Sequence, residues 1–293
     1  MRFGFVTDEL SQEPREAIET ALEWGVRDFE LRFVRGVRFP RHTGDTIEEL
    51  CRLRDEYAIR YTAISPGFFK CSLQDEAALR EATGEYLDRS IAFMLECHVP
   101  LMICFSFDAD SGSDADAVAW LQRLADRLAE HGLAAAIENE REHLCSDPER
   151  IVEILHQADR PNLGANWDLG NLKNAAPEGF PEGYDRVKPL IRNVHAKDVA
   201  ILDGEATEWR PIGEGVCDWR GQMQALARDR IVEHVTIENH CGPLIEVGRR
   251  NLDALIQFAN ERPEAVTGPV TASPHLSGSL GLVVQPEKRS EDD

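Results

Sequence analysis

Eight short β-rich runs, each followed by a longer stretch with helical periodicity, set the strongest limit on how this chain can fold. The runs fall at residues 2–6, 28–33, 60–64, 101–106, 134–139, 163–167, 192–196 and 234–238. Helices are predicted at 14–24, 46–56, 76–96, 115–130, 147–158, 220–228 and 244–260, with a poorly patterned stretch at 177–188. Their starts carry caps: Ser146-Asp147-Pro148-Glu149 opens one helix, and Asp114 or Asp116 is placed to open another. Strands that alternate with helices build βα units around a parallel sheet. Eight such units favour closure over a doubly wound open sheet, whose phosphate-binding GxGxxG is absent after the first run. The expected fold class is α/β, a (β/α)8 TIM barrel with a C-terminal tail.

The barrel is expected to occupy residues 1–263. From residue 264 onward the helical periodicity stops and Gly, Ser and Pro dominate, ending in an acidic stretch. Residues 264–293 are therefore predicted to lie outside the barrel, with the short apolar segment 280–284 able to dock on the body or on a neighbour. No apolar run approaches the roughly 18 residues of a membrane span. The opening MRFGFVTDEL lacks a long apolar core and a cleavage-site pattern, so no signal peptide is read and a cytoplasmic location is expected. Seven scattered cysteines, never in a CxxC pair, argue against structural disulfides and against a thiolate zinc site. A net charge of −21 argues against nucleic acid as a partner, because counterion release needs a basic surface. The oligomeric state is left open, a homo-oligomer included.

Barrel enzymes carry their chemistry at the C-terminal ends of the strands, and alternate side chains point inward. In the fifth run Ala134, Ala136 and Glu138 share one parity; in the sixth, Gly164, Asn166 and Asp168 do. Asn193, His195 and Lys197 share a parity in the seventh, and Thr236, Glu238 and His240 in the eighth. The second run adds Glu30 and Arg32. Four successive strands thus end in Glu138, Asp168, His195 and Glu238 on a common side. Three converging carboxylates repel one another unless a cation joins them. Oxygen ligands with one imidazole suit one divalent metal ion: Mn²⁺, Mg²⁺, Co²⁺ or Zn²⁺. A six-coordinate ion held by four side chains keeps two positions open, which matches a vicinal hydroxy-carbonyl unit.

The ordered segments VTDELSQEP, DFELR, AISPGFFK, AIENE, NWDLGN, NVHAKDV, PIGEGVCDW and TIENH carry a resemblance. Over about residues 1–262 the chain resembles the sugar phosphate isomerase/epimerase family of xylose isomerase-like barrels. That resemblance implies a single-metal site with Glu138, Asp168, His195 and Glu238 as ligands, manganese among the metals. It also implies that Glu138 and Glu238 serve as an acid–base pair on opposite faces of the substrate, the metal polarising a carbonyl and stabilising an enediolate. Two departures from the ketose 3-epimerases stand out. Asn171 occupies the position of their histidine, and AKDVAILDGE replaces their arginine-containing segment; both argue against simple free-ketose epimerisation. The related DNA-repair nucleases need further histidines, which the chain lacks near Glu30 and Ser65.

Secondary substrate-binding candidates are Glu30, Arg32, His143, Asn171, Lys197 and His240, each with a structural alternative. Glu30 and Arg32 either hold substrate hydroxyls or form an internal ion pair. His143 either lines the mouth or belongs to the loop surface. Lys197 either orients an oxyanion or pairs with Asp198 or Glu214, and Glu214 is expected to be structural. The leading expectation is an isomerase or epimerase of a sugar or sugar derivative. A lyase on the same site, such as a keto-inositol dehydratase or a 3-keto-glycoside-cleaving enzyme, is the alternative, and a non-catalytic sugar-binding barrel is the third.

Overall fold

The computed structural model describes residues 1–175, 179–202 and 206–261. The expectation for 264–293 falls outside them, as does part of the stretch at 177–188. Strands β1 (Arg2–Val6), β2 (Asp28–Leu31), β3 (Phe33–Val34), β4 (Val37–Arg38), β5 (Arg60–Ile64) and β6 (Leu101–Cys104) are followed by β7 (Ala134–Glu138) and β8 (Leu163–Asp168). β9 (Ile191–Ala196), β10 (Asp198–Leu202), β11 (Ala206–Arg210) and β12 (His234–Ile237) complete them. Eight parallel strands close a barrel in the order β1-β12-β9-β8-β7-β6-β5-β2, as the alternation predicts. Two small antiparallel hairpins, β3–β4 and β10–β11, stand outside it. No helix among the described residues is long and apolar enough to cross a membrane.

Amphipathic helices cover the barrel. In α1 (Pro14–Glu23), α2 (Gly44–Tyr57), α3 (Glu76–Thr83), α4 (Glu85–Glu96) and α5 (Asp114–Ala129) the buried positions recur three and four residues apart. The same holds in α6 (Pro148–Ala158), where Ile151, Ile154, Leu155 and Ala158 pack inward. Each fully buried aliphatic side chain of this kind stabilises the fold by about 1.5–3 kcal/mol. Asp147 caps α6 through the Arg150 N–H at 3.0 Å, with Pro148 at its first position. The cap of α5 is Ser113, whose hydroxyl accepts from the Asp116 N–H, rather than Asp114 or Asp116. The predicted helix at 76–96 is broken in two at Gly84, whose extended φ of −113° and ψ of −136° cannot continue a helical turn. Beyond these lie α7 (Leu169–Ala175), α8 (Tyr184–Val187), α9 (Trp219–Asp229) and α10 (Leu244–Asn260).

Strand parity follows the sequence. Ala63, Leu101, Ile103 and Ala136 form a small apolar cluster separate from the main core, to which the alternate Ala135 and Ile137 belong. The rest of the interior turns polar toward β2, β8, β9 and β12, where Glu30, Asn166, Asn193 and Thr236 are all buried. Two irregularities tune the register. One lies between β2 and β5 after Phe29, the other between β8 and β9 after Ala165. The second sets Asn166 beside Asn193 and Asp168 beside His195.

Candidate metal centre

The four strand-end residues meet. Ligating atoms of Glu138, Asp168, His195 and Glu238 all lie within 4.8 Å of one another, and all four side chains are buried. β7 pairs with β8 so that Glu138 faces Asn166, and β12 pairs with β9 so that Thr236 faces His195. The ladder itself therefore gathers the quartet. Spacing on this scale could accommodate one ion among the four donors.

His195 has a defined orientation. Its Nε2 lies 2.7 Å from Glu30 Oε2, while Nδ1 lies 3.4 Å from Glu138 and 3.5 Å from Glu238. Asn193 and Thr236 each donate to Glu30 Oε1 at 2.7 Å, and Asn193 also donates to Asn166 at 3.0 Å. Glu30 is thus a fixed acceptor that keeps Nε2 protonated, while Nδ1 faces the Asn166 carboxamide nitrogen at 3.1 Å and, beyond it, the two carboxylates. A carboxylate behind a metal-binding histidine is the usual way to set its tautomer. Burial alone would lower the His195 pKa, but Glu30 and Glu138 outweigh it and raise it well above its ordinary value.

Lys197 supplies positive charge among the carboxylates. Its Nζ lies 2.7 Å from Glu238, 2.9 Å from Asp168 and 3.9 Å from Glu138. The expected pairing with Asp198 or Glu214 is not what the structure shows. Asp198 instead accepts the backbone N–H groups of Val199, Gly213, Gly215 and Cys217, pinning the PIGEG loop, and Glu214 pairs with Arg250. The motif glycines have steric causes. A Cβ on Gly170 would lie 2.7 Å from the Lys197 carbonyl oxygen, and one on Gly215 would lie 2.2 Å from the Asp198 carboxylate.

The carboxylates differ in their charge balance. Burial pushes Asp168 up to about 6 despite Lys197. Burial also acts on Glu238, but Lys197 and His240 hold it well below the usual carboxylate range. Glu138 is lowered because His195 outweighs its burial. Arg32 pairs with Asp8 at 2.7 Å, with Glu9 at 2.5 Å and with Glu238, so its ion pairs do not include Glu30. His240 Nε2 lies 3.0 Å from Glu238, and its ring stacks on Trp209 of β11 at 5.2 Å.

The remaining candidates sit close by. Asn171 donates its backbone N–H to Asp168 Oδ1 at 3.0 Å and its carboxamide to the Asn139 carbonyl at 2.7 Å, with Glu138 at 3.4 Å. His143 is buried, 3.2 Å from Glu140, with its ring 5.6 Å from that of Phe105. Sequence reasoning missed Asp8, Glu9, Arg38, Lys70, Phe105 and Trp209. The Arg35-Gly36 pair, with φ of 52° and 74°, was the available signal for the hairpin that carries Arg38.

Above the quartet lies a cavity of about 270 Å³, lined among others by Glu30, Arg38, Phe105, Glu138, His195 and Glu238. A larger one, about 880 Å³, opens around Arg2, Arg60, Arg192 and His234 at the strand beginnings. That end of a barrel ordinarily serves stability rather than chemistry, and the ligating groups gather at the other.

Comparison with solved structures gives the same fold at low identity. A probable 3-DHS dehydratase, AsbF, involved in petrobactin synthesis in Bacillus anthracis, superposes with a TM-score of 0.71 at 16% identity over 87% of this chain and 99% of its own. The IOLI protein with a binding zinc atom gives 0.73 at 15% over 88% and 98%. D-allulose 3-epimerase from Methylomonas sp. in complex with D-allulose gives 0.71 at 15% over 88% and 97%. No curated protein sequence matches the chain. The family described as xylose isomerase-like TIM barrel matches residues 18–262, and the chain belongs to that family.

Proposed function

We propose that this protein is a divalent-metal-dependent isomerase or epimerase that moves a proton on the carbon beside a carbonyl in a sugar or sugar derivative. The observation that carries this reading is the convergence of Glu138, Asp168, His195 and Glu238 beneath one small cavity. A volume near 270 Å³ lies below the roughly 300–1,000 Å³ of drug-sized sites and suits a monosaccharide-sized ligand. The similarity to an epimerase holding D-allulose supports a sugar as substrate.

Glu138, Asp168, His195 through Nδ1, and Glu238 would hold the ion. When bound, it supplies Lewis-acid polarisation of a substrate carbonyl, worth several kcal/mol. Glu138 makes its contacts with His195, Asn171 and Lys197 through Oε1, which leaves Oε2 to take the substrate proton. Glu238, with His240 Nε2 3.0 Å away, is the partner through which a proton returns to the other face. Glu30 and Asn171 orient His195 and the two carboxylates, Glu138 and Asp168.

A lyase is the second reading, favoured by the similarity to a probable dehydratase. It shares the first proton transfer and differs in the loss of a β-leaving group. Metal analysis followed by a screen of keto-sugars, inosoles and 3-keto-glycosides in deuterium oxide with Mn²⁺ tests both. Exchange beside the carbonyl without loss of water or aglycone is expected. Glu138→Gln should slow that exchange by about 10²–10⁴-fold. Protein that takes up no stoichiometric metal, or a variant that exchanges at the wild-type rate, would refute the assignment.

A further inference from the structure

Among the described residues, every cation lining the cavity is matched by a carboxylate except one. Arg32 is held by Asp8, Glu9 and Glu238, and Lys70 lies 2.5 Å from Glu140. Nearby, Arg41 is paired with Glu81. Arg38, at the end of the β3–β4 hairpin, bonds among the described residues to Ser65: Nε to its carbonyl oxygen and Nη2 to its hydroxyl, both at 3.1 Å. These neutral acceptors use two of its five N–H donors. No ion pair to Arg38 occurs among the described residues, and its guanidinium lies against the rings of Phe33 (5.1 Å) and Phe105 (5.9 Å). Burial first, then the neighbouring Arg32, depresses its pKa to about 10, so the group stays charged at neutral pH in surroundings that disfavour it. A partly buried cation of this kind is costly unless an anion joins it.

We infer that Arg38 is a subsite for a carboxylate on the substrate, so that the sugar derivative turned over is a sugar acid. The inference rests on the metal-dependent sugar reading above and adds the charge of the substrate. Arg38, Ser65 and Phe105 line the same cavity as Glu138, His195 and Glu238, which places the carboxylate at one wall and the reacting carbon at the other. The planar fork of an arginine matches a carboxylate edge-on, and the rings of Phe33 and Phe105 pack beside it. One unmatched positive charge suits one negative charge. A phosphate, near −2, would need a second free cation, and Lys70, Arg32 and Arg41 are all engaged.

Calorimetric titration of the Mn²⁺-loaded full chain with D-glucose, D-glucuronate and D-glucose 6-phosphate decides the matter. Glucuronate is expected to bind at least about tenfold tighter than glucose, the scale of a charged hydrogen-bonded pair. In Arg38→Gln that preference should collapse, and Arg38→Lys should keep part of it; circular dichroism and metal stoichiometry show whether each variant is intact. Equal binding of glucose and glucuronate overturns the subsite and leaves the sugar reading standing. A preference that survives in Arg38→Gln also overturns it, since the carboxylate is then held elsewhere. Arg38-dependent binding that favours the phosphate refutes the carboxylate assignment. Failure of all three ligands to bind the loaded protein refutes the sugar reading, and this inference with it.

Discussion

At the scale of single residues, the convergence of Glu138, Asp168, His195 and Glu238 was legible because each lies at or beside a strand end on the inward parity, and the ladder converts parity into position. What parity does not give is the partner. Glu30 and Arg32 share a parity in the sequence, yet Glu30 turns to His195 while Arg32 turns to Asp8, Glu9 and Glu238. Asp8 and Glu9 lie in the short turn after β1, where no periodicity announces a function. Glu30 acts through His195, so Glu30→Gln is expected to weaken divalent-metal affinity by about 10–100-fold. Titration of the apoprotein measures this; an unchanged affinity would show that Glu30 does not set the ligand's orientation.

His143 permits a prediction with a definite sign. Burial lowers its pKa from the ordinary 6.5, so the folded protein keeps the ring neutral while the unfolded chain protonates it near that value. Its contribution to stability is present above pH 6.5 and is lost as the pH falls through the depressed folded-state value. Urea midpoints of the wild type should therefore fall more steeply below pH 6.5 than those of His143→Gln. Parallel curves would place the acid sensitivity elsewhere.

At the scale of elements, the barrel strands and most of their helices were readable, whereas the two hairpins were not. β3 and β4 are two residues each, too short for a period of two to register, and the expected second strand ran on through Phe33. β10 and β11 flank an Asp203-Gly204 pair, a hairpin signal that is weak without the strand pairing itself. Both hairpins matter, since they bring Arg38 and Trp209 to the mouth. The motif glycines were visible but unexplained until β9 and α7 were seen to touch. Gly170→Ala would force a Cβ against Lys197, 2.6 Å from its Cγ and 2.7 Å from its carbonyl oxygen. Overpacking of this sort costs about 1–3 kcal/mol. Denaturant unfolding of the variant should show that loss, and wild-type stability would mean that α7 shifts without cost.

At the scale of the whole molecule, the site trades stability for binding. Burial raises the Asp168 carboxyl from its ordinary 3.8 to about 6 in the fold. A raised carboxylate favours folding fully only below the unfolded value, and that advantage is lost as the pH rises through the folded one. At pH 7 the ionised group therefore works against the apoprotein, and Asp168→Asn should raise the melting temperature measured without metal. A divalent ion held by the quartet would reverse the balance by binding only the folded state. At a hundredfold excess over its Kd it stabilises by about 2.7 kcal/mol. For a domain of this size that corresponds to a shift of roughly 5–10 °C. The net charge of −21 complicates the comparison, because any added salt screens self-repulsion. Scans at matched ionic strength with Mn²⁺ or with NaCl separate the two effects. The wild type should shift with Mn²⁺ alone, and Asp168→Asn, altered by a single charge, should lose the shift. Equal shifts in both proteins would mean that the ion acts on the surface and that the quartet holds no metal.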